Sequence, residues 1–432
     1  MKKYILSALS VLMCLGLSAQ VSKPGRNYVN FTVVPTHADA VYAVGDTAAL
    51  RVVATAGGAG LDGVTLRYES GPDNLAADRY GEAGFRNGEA LVPFGTMDRP
   101  GFRYCKVSFS VAGQNYQESV KVGFSPERLE PYSPCPSDFD SFWKKTLAKA
   151  SKVPMEYEIT PDSTYTTDRV EGFRVKLQAF EKGNYIYGYL LKPRDGKKHP
   201  VLFNPPGAGV KKIASSPEYA EAGYLFFSIG VNGIPMDATP DALKARQQEI
   251  GNYWTTGLES PETYYYRKVY CACVRCIDFL MSLPEWDGVN VGVTGGSQGG
   301  ALTIVTAGLD PRVTFIAAFY PALCLLDGYA QGHTGGWPNL YRNGAEPAPG
   351  LDRDRALRTF GYYDVVNFAA RVQCPGFYSY GYNDNTCPPT STATAVNRVT
   401  APKTVVVTPS SGHWRFGETQ QQCFEWMAGQ LK

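Results

Sequence analysis

Ser297 lies in a turn built almost entirely of small residues, in a stretch that reads VGVTGGSQGG. Such a turn has two interpretations. The glycines can supply unusual backbone angles while the serine caps the following helix. Alternatively, small neighbours leave the hydroxyl exposed to a substrate. The spacing G-x-S-x-G, between the apolar strand NVGV and a helix predicted over Gln298–Leu309, favours a nucleophilic serine on a strand-to-helix turn.

A serine is a poor nucleophile on its own, so a general base must lie beside it. The chain has four histidines, His37, His199, His333 and His413. His37 falls in the β-rich first part of the chain, and His199 precedes a strand, at the wrong end of a parallel sheet. His333 lies in a long Gly-rich loop, where no element anchors it. His413 follows the last predicted strand and is therefore the predicted base.

The third residue of such a triad is an acid that orients the histidine, and it follows a strand between the other two residues in the chain. Asp384 fits, because it ends the strand-like run PGFYSYGYND, 29 residues before His413. Asp364 is the alternative, but no strand precedes it. An aspartate beside Asn and Pro is also a common turn former. The predicted triad is Ser297, Asp384 and His413.

The tetrahedral intermediate of acyl transfer to a serine carries a negative oxygen that two backbone N–H groups must stabilise. The residue after the nucleophile, Gln298, supplies one of them in this arrangement. The second is expected from the loop FNPPGAG, where Ala208 lies between two glycines. A plain glycine-rich turn is the alternative for this loop. This chemistry needs neither a metal nor an organic cofactor, and we expect none.

These residues require a sheet that brings strand ends together, and residues 137–432 have the pattern of one. Apolar runs such as PVLFNPP, YLFFSIG and VTFIAAFYP alternate with helical stretches, as in a mostly parallel sheet with crossover helices. Ligands of such sheets bind beyond the carboxyl ends of the strands. We therefore predict the α/β class, with an α/β-hydrolase fold as a mostly parallel, doubly wound sheet. Its first helix is predicted to begin at Ser137, with Asp140 completing a capping box.

A separate all-β region precedes this sheet, over residues 20–125. Short runs of period two, such as NYVNFTVV and CKVSFSV, are separated by turns such as GGAGLDG, which predicts an immunoglobulin-like β-sandwich. Its polar residues show no convergence, so a spacer that is dispensable for chemistry is favoured over a carbohydrate-binding module. Four prolines in residues 126–136 predict a stiff linker.

Residues 1–19 have the features of a secretory signal peptide. Lys2 and Lys3 precede the apolar stretch Tyr4–Leu17, and the small residues Ser18 and Ala19 suit a cleavage site. The apolar stretch is too short for a membrane span. We therefore expect a secreted protein, located in a bacterial periplasm.

Charge and cysteine usage argue against two other kinds of function. The 42 basic and 40 acidic residues give a formal net charge of +2, and no basic tract offers nucleic acid a binding surface. Cys271, Cys273 and Cys276 have helical spacing with apolar neighbours, and no histidine lies near them. They are predicted to be small buried groups of a helix, with a metal cluster as the alternative.

Several motifs, in order, give the chain from about Cys135 onward a resemblance to a known family. They include SDFDSFWKKTL, ETYYYRKVY, GLDPRV, YYDVVNFAARVQCP, GYNDNTCPP and SGHW. Together they resemble the acetyl xylan esterase / cephalosporin-C deacetylase family of carbohydrate esterases. The resemblance implies an α/β-hydrolase fold, removal of acetyl groups from xylo-oligosaccharides and similar small esters, and a homo-oligomer. The family's serine, aspartate and histidine fall on Ser297, Asp384 and His413.

Two positions depart from the family pattern. Members usually carry His-Gly-Tyr in the oxyanion loop, where this chain has PPGAG with Ala208 at the tyrosine's place. The residue after the histidine, commonly acidic, is Trp414. With Tyr320, Trp414 is predicted to close the acyl side of the substrate pocket.

The alternative functions are a general short-chain carboxylesterase, a serine peptidase of the same fold and a carbohydrate-binding protein with a decayed hydrolase domain.

Overall fold

The computed structural model describes residues 27–432, so the predicted signal peptide, residues 1–19, lies outside the described residues. Within the described part, no helix has both the length and the apolar character needed to cross a membrane. Two antiparallel sheets come first in the chain, and a mixed α/β region follows them.

Nine strands form the first part of the described chain. They are β1 (Val29–Pro35), β2 (Val41–Tyr42), β3 (Ala48–Ala56), β4 (Ala59–Gly60), β5 (Thr65–Pro72), β6 (Arg79–Gly84), β7 (Glu89–Gly95), β8 (Gly101–Val111) and β9 (Gln114–Phe124). One sheet contains β1, β3, β4 and β7, and the other has the order β2-β9-β8-β5-β6. All strand pairs are antiparallel except β2 with β9.

We call this first part of the described chain the front sandwich. Its period-two pattern of apolar residues determines where its core lies. Along β3, Leu50, Val52 and Ala54 are fully buried while the residues between them are more exposed. The ring of Phe31 in β1 packs edge-on against Phe109 in β8, with centroids 5.2 Å apart. The two sheets therefore bury their apolar faces against each other, as two stacked layers.

The second part contains nine further strands and nine α-helices. The strands are β10 (Tyr157–Pro161), β11 (Val170–Gln178), β12 (Tyr185–Pro193), β13 (His199–Asn204), β14 (Leu225–Gly230), β15 (Trp286–Gly296), β16 (Phe315–Phe319), β17 (Gly376–Gly381) and β18 (Lys403–Thr408). The α-helices are α1 (Phe139–Ala150), α2 (Pro217–Glu221), α3 (Pro240–Ile250), α4 (Tyr266–Met281), α5 (Gln298–Leu309), α6 (Arg353–Tyr363), α7 (Val365–Ala369), α8 (Pro389–Arg398) and α9 (Gly417–Ala428). Short 3₁₀ turns span Pro126–Arg128, Tyr253–Thr255, Tyr329–Gln331 and Arg342–Gly344.

These strands form one sheet of order β10-β11-β12-β14-β13-β15-β16-β17-β18. From β14 to β18 all neighbours are parallel, and β10 to β12 add an antiparallel edge. The central strands are buried on both faces, as the uninterrupted apolar runs predict; every residue of β16 is buried. The mixed, mostly parallel sheet is confirmed. The carboxyl ends of β15, β17 and β18 meet at one edge.

The capping box predicted for the first helix is wrong. The helix begins at Phe139, and its N-cap is Asp138, which makes no side-chain capping bond. Both carboxylates of the region have other partners, because Tyr362 donates to Asp138 Oδ1 at 2.6 Å and Arg371 pairs with Asp140. Tertiary contacts thus replace the local capping bonds that the sequence suggested.

The front sandwich packs directly on the α/β region. Phe102 of β8 lies edge-on to Tyr382, which follows β17, with ring centroids 4.8 Å apart and both side chains buried. The connecting segment is also tied down, since the Asn397 amide of α8 donates to the carbonyls of Pro126 and Leu129. The two parts share one apolar core.

Candidate active site

The glycines of the turn that carries Ser297 lie so close to neighbouring backbone that no side chain would fit at their positions. A Cβ on Gly295 would lie 2.7 Å from the backbone of Gly299, and one on Gly299 would lie 2.5 Å from the Pro205 carbonyl oxygen. Ser297 itself has φ 60° and ψ −126°, a conformation that costs a non-glycine residue about 1–3 kcal/mol. The turn therefore places the serine beyond β15, partly exposed, at the start of α5.

Ser297, His413 and Asp384 form an unbroken hydrogen-bonded chain. Ser297 Oγ lies 2.9 Å from His413 Nε2, and His413 Nδ1 lies 2.8 Å from Asp384 Oδ2. Because an ionised carboxylate only accepts, Nδ1 carries the proton, which leaves Nε2 to accept the hydroxyl proton of the serine. The three residues come from the ends of three parallel strands, as the sequence predicts.

The Asp384 carboxylate is fully buried and held by its own turn. Its Oδ1 accepts hydrogen bonds from the N–H groups of Thr386 and Cys387, at 2.8 and 2.9 Å. The other oxygen faces His413, whose side chain is 28% exposed. The Asp384 carboxylate is thus fixed in orientation, while the His413 imidazole lies at the solvent edge.

The alternative acid and base candidates have other partners. His333 lies 2.9 Å from the Arg99 guanidinium and packs on Tyr132, and burial together with the Arg99 charge lowers its pKa. Asp364 caps α7 and accepts hydrogen bonds from Leu325 and Leu326. Neither residue joins the serine.

His199 also lies away from the serine, since it begins β13 at the opposite end of the sheet. Its Nε2 lies 2.8 Å from Asp195, and its Nδ1 lies 2.9 Å from the Gly223 carbonyl oxygen.

The two predicted oxyanion donors lie on neighbouring segments. Within residues 27–432, neither the Gln298 nor the Ala208 backbone N–H donates to a protein acceptor. The Gln298 side chain is fully buried and connects the segments, because its Nε2 donates to the carbonyls of Pro206 and Gly207. The Gln298 side chain therefore holds helix α5 and the oxyanion loop together next to Ser297.

Two tyrosines that the sequence did not single out complete this network. The hydroxyls of Tyr253 and Tyr266 both donate to Gln298 Oε1, at 2.9 and 2.7 Å, and the Tyr253 oxygen accepts the Gly209 N–H at 3.1 Å. Burial raises the pKa of both hydroxyls, so both remain donors. Tyr266 belongs to the ETYYYRKVY motif, which was the one available signal for it.

The predicted pocket aromatics differ in their surroundings. Tyr320 directly follows β16, and its ring lies over the His413 imidazole with centroids 4.7 Å apart. Trp414 is 49% exposed and packs edge-on against Phe416. A cavity of about 350 Å³ lies beside the site, between residues 204–214 of the oxyanion loop and residues 228–234, and Gly296 is the one residue of the nucleophile turn that lines it.

Several buried cysteines lie in the core, and one of them, Cys387, lies next to Asp384 and His413. Cys387 lies with Asp384 and His413 in a group whose ligand atoms are within 4.8 Å of one another. Burial raises the pKa of its thiol well above the ordinary value, which disfavours the thiolate that a metal would require. The Asp384 and His413 atoms are already hydrogen-bonded to each other, so they are not free to act as ligands in this arrangement.

The three cysteines of α4 are buried in the helix, as predicted. Burial raises the pKa of the Cys271, Cys273 and Cys276 thiols. They act as small apolar groups of the core.

Comparison with known proteins agrees with this geometry. Residues 127–430 match the sequence pattern of the family described as acetyl xylan esterase (AXE1). The chain belongs to this family. It is also 41% identical, over 100% of its own length and 98% of the relative's, to the acetyl esterase Axe7A of Xylanibacter ruminicola. Family membership makes the chain a carboxylic ester hydrolase.

Solved structures support the family and the fold. The acetyl xylan esterase from Paenibacillus sp. R4 is 26% identical, with a TM-score of 0.62 over 71% of this chain and 98% of that one. Acetyl xylan esterase 1 from Thermoanaerobacterium sp. JW/SL YS485 covers the same shares at 23% identity and a TM-score of 0.59, and shows the same fold. The family pattern begins at residue 127, after the front sandwich, whereas the Xylanibacter relative matches the whole chain.

Proposed function

We propose that this member of the family is a secreted serine esterase that removes acetyl groups from acetylated xylan-type saccharides or similar small acetyl esters. The observation that carries the proposal is the hydrogen-bonded chain from Ser297 Oγ through His413 to the buried Asp384. No metal or organic cofactor takes part in the proposed steps.

In the first half-reaction, Ser297 Oγ attacks the acetyl carbonyl carbon while His413 Nε2 takes the hydroxyl proton. Asp384 keeps the proton on Nδ1 and stabilises the imidazolium that forms. The N–H groups of Gln298 and Ala208 hold the oxyanion of the tetrahedral intermediate. His413 then returns the proton to the sugar oxygen, the ester C–O bond breaks, and an acetyl-enzyme remains.

In the second half-reaction, water replaces the sugar. His413 takes a proton from the water as the hydroxide oxygen bonds to the acetyl carbon. The second tetrahedral intermediate collapses, the proton on His413 returns to Ser297 Oγ, and acetic acid leaves and ionises to acetate in solution. The enzyme is restored, and each turnover consumes one ester and one water.

For the pocket, we propose that Tyr320 bounds the acyl side, because its ring lies on His413, next to the reacting atoms. The half-exposed Trp414 is better placed for the rim of the sugar side. A pocket that fits a methyl group penalises each added methylene by about 1–3 kcal/mol, or roughly 5- to 150-fold in rate.

The remaining sequence-based assignments belong to the same proposal. They are a signal peptide over residues 1–19, an immunoglobulin-like type for the sandwich of residues 20–125, a linker over 126–136, and the esterase domain over 137–432. A periplasmic location and a homo-oligomer complete it.

A substrate panel tests the proposal. Hydrolysis of p-nitrophenyl esters should fall steeply from acetate to butyrate. Acetylated xylo-oligosaccharides should lose about 42 mass units for each acetyl group that is replaced by hydrogen. Ser297→Ala is the control for background hydrolysis. A flat profile toward butyrate would favour the general carboxylesterase, cleavage of peptide amides would favour the peptidase, and saccharide binding without turnover would favour the carbohydrate-binding protein.

A further inference from the structure

The front sandwich reaches the loop that carries Asp384 through one buried cation. Lys121, near the end of β9, has a side chain only 4% exposed. Its Nζ donates to the carbonyl oxygen of Asp384 at 2.8 Å and to Asn74 Oδ1 at 3.2 Å. Its backbone N–H donates to Asn383 Oδ1 at 2.9 Å. One residue of the sandwich therefore binds two consecutive residues of the acid's turn.

Burying an ammonium is costly unless an anion compensates it. Asp73, at the end of β5, supplies that anion, since its fully buried Oδ1 lies 2.7 Å from Lys121 Nζ. The two groups form an ion pair that lacks the alignment of a hydrogen bond. Electrostatic attraction therefore holds Lys121 Nζ beside Asp73. The pair keeps an ammonium donor under the Asp384 carbonyl.

Asp73 also holds the far end of the same loop. Its Oδ2 accepts hydrogen bonds from the N–H and the hydroxyl of Thr390, at 3.2 and 2.8 Å. The neighbouring Asn74 donates through its side-chain amide to the Asn385 carbonyl at 2.9 Å. The loop from Asn383 to Thr390 is therefore attached to the sandwich at its start, middle and end.

This attachment bears on the orientation of the acid. Asp384 Oδ1 is held by the N–H groups of Thr386 and Cys387, which lie inside the attached loop. A rotation of the Asp384 peptide would move Oδ2 away from His413 Nδ1. Misplacement of about 1 Å in a catalytic group can lower the rate about 100-fold.

We propose that Lys121, charge-compensated by Asp73, is a positioning residue for the reaction: the front sandwich sets the orientation of the Asp384 carboxylate toward His413. The inference rests on the proposed role of Asp384. It differs from the expectation that the sandwich is a spacer dispensable for chemistry.

The test uses the full chain and separates charge burial from positioning. Lys121→Met leaves Asp73 buried and unpaired, so it lowers stability as well as activity. The double variant Asp73→Asn, Lys121→Met removes both charges and restores stability but not the ammonium donor at the Asp384 carbonyl. We expect kcat on p-nitrophenyl acetate to fall about 10- to 100-fold in both variants, with KM changed less than about threefold.

The pH profile is a readout that a merely structural role would leave unchanged. A misoriented Asp384 stabilises the imidazolium less well, so the acid limb of kcat/KM is expected to move to lower pH. The control is Arg103→Met, which breaks a different ion pair of the sandwich, between the buried Arg103 and the half-exposed Asp78. The control is expected to keep kcat within about twofold and the limb in place.

Asp384→Asn is the reference in the same series. If Asp384→Asn loses activity while the double variant keeps wild-type kcat and its acid limb, the positioning role is overturned and the proposed function stands. If Asp384→Asn keeps full activity, the proposed function itself fails. Should the double variant not fold, Lys121→Met alone is assayed at a temperature at which circular dichroism shows it folded; an unchanged kcat there overturns the inference.

Discussion

At the scale of single residues, the site depends on how a strained serine and a half-exposed histidine are held. Ser297 adopts a left-handed φ because its N–H donates to the Phe319 carbonyl and its own carbonyl accepts the Ala322 N–H, at 3.0 and 3.1 Å. These bonds fix the backbone so that Oγ points away from the sheet, toward His413. The surrounding core stabilises this strained backbone conformation, because its packing leaves room for few alternatives.

In the proposed mechanism Ser297 and His413 act as one unit, so their substitutions should be far from additive. We expect Ser297→Ala and His413→Ala each to lower kcat/KM for p-nitrophenyl acetate by at least roughly 10⁴-fold, and the double variant to be little slower than either single one. Steady-state kinetics on the three proteins, with circular dichroism to verify folding, makes the comparison. Multiplying losses would mean that the two residues act independently.

The placement of Ser297, Asp384 and His413 side by side was predictable, because histidines are rare in this chain and the positions of all three residues relative to the strands are constrained. Four histidines are available, and His413 is the one that follows a late strand. Lys121 and Asp73 could not be found in the same way. Asp73 resembles an ordinary turn former in GPDN, and Lys121 alternates with Val120 and Val122, so a free sandwich would expose it. Its burial results from a contact 263 residues away in the chain.

At the scale of elements, the side chain of Gln298 links helix α5 to the oxyanion loop. Tyr253 completes the link, since it donates to Gln298 and accepts from Gly209 in that loop. Tyr266 donates to the same Gln298 oxygen but has no bond to the loop. The two tyrosines therefore form a matched pair that differs in one contact.

Removing each hydroxyl separates the two contributions. We expect Tyr253→Phe to lower kcat about tenfold, because the Gly209 N–H loses its acceptor and the Ala208 donor beside it loses its fixed position. Tyr266→Phe, which loses one buried hydrogen bond of similar energy, should lower kcat no more than about threefold. Equal losses of kcat in the two variants would show that the loop is held by other contacts.

Elements were predictable where burial dictates them. The apolar runs gave the strands of the parallel sheet, and the helix Gln298–Leu309 has the predicted bounds. The capping box was mispredicted because Asp138 and Asp140 have long-range partners. The antiparallel strand β10 was not recognised, since its residues are mostly exposed and carry little apolar signal.

At the scale of the whole molecule, a buried carboxyl outside the site makes stability depend on pH. Burial, with a smaller contribution from Asp327, raises the pKa of Asp364 to about 7. The folded protein then keeps a proton that the unfolded chain has lost between about pH 4 and pH 7. Since the folded state binds more protons there, the free energy of unfolding falls as the pH rises through this window.

Asp364→Asn should flatten that dependence. Between about pH 4.5 and about pH 7.5, the wild-type protein is expected to lose about 3 kcal/mol through Asp364, and the variant should lack this part of the slope. Urea denaturation across the window measures the difference. Parallel curves for the two proteins would contradict the account of this carboxyl.

The central claim is that Ser297 is the nucleophile of a serine esterase. The most direct measurement is labelling with a fluorophosphonate, followed by intact mass and peptide mapping, with Ser297→Ala as the control. We expect one adduct per chain, located on Ser297, and loss of ester hydrolysis in step with labelling. An adduct on another residue, or full hydrolysis by the labelled protein, would contradict the claim.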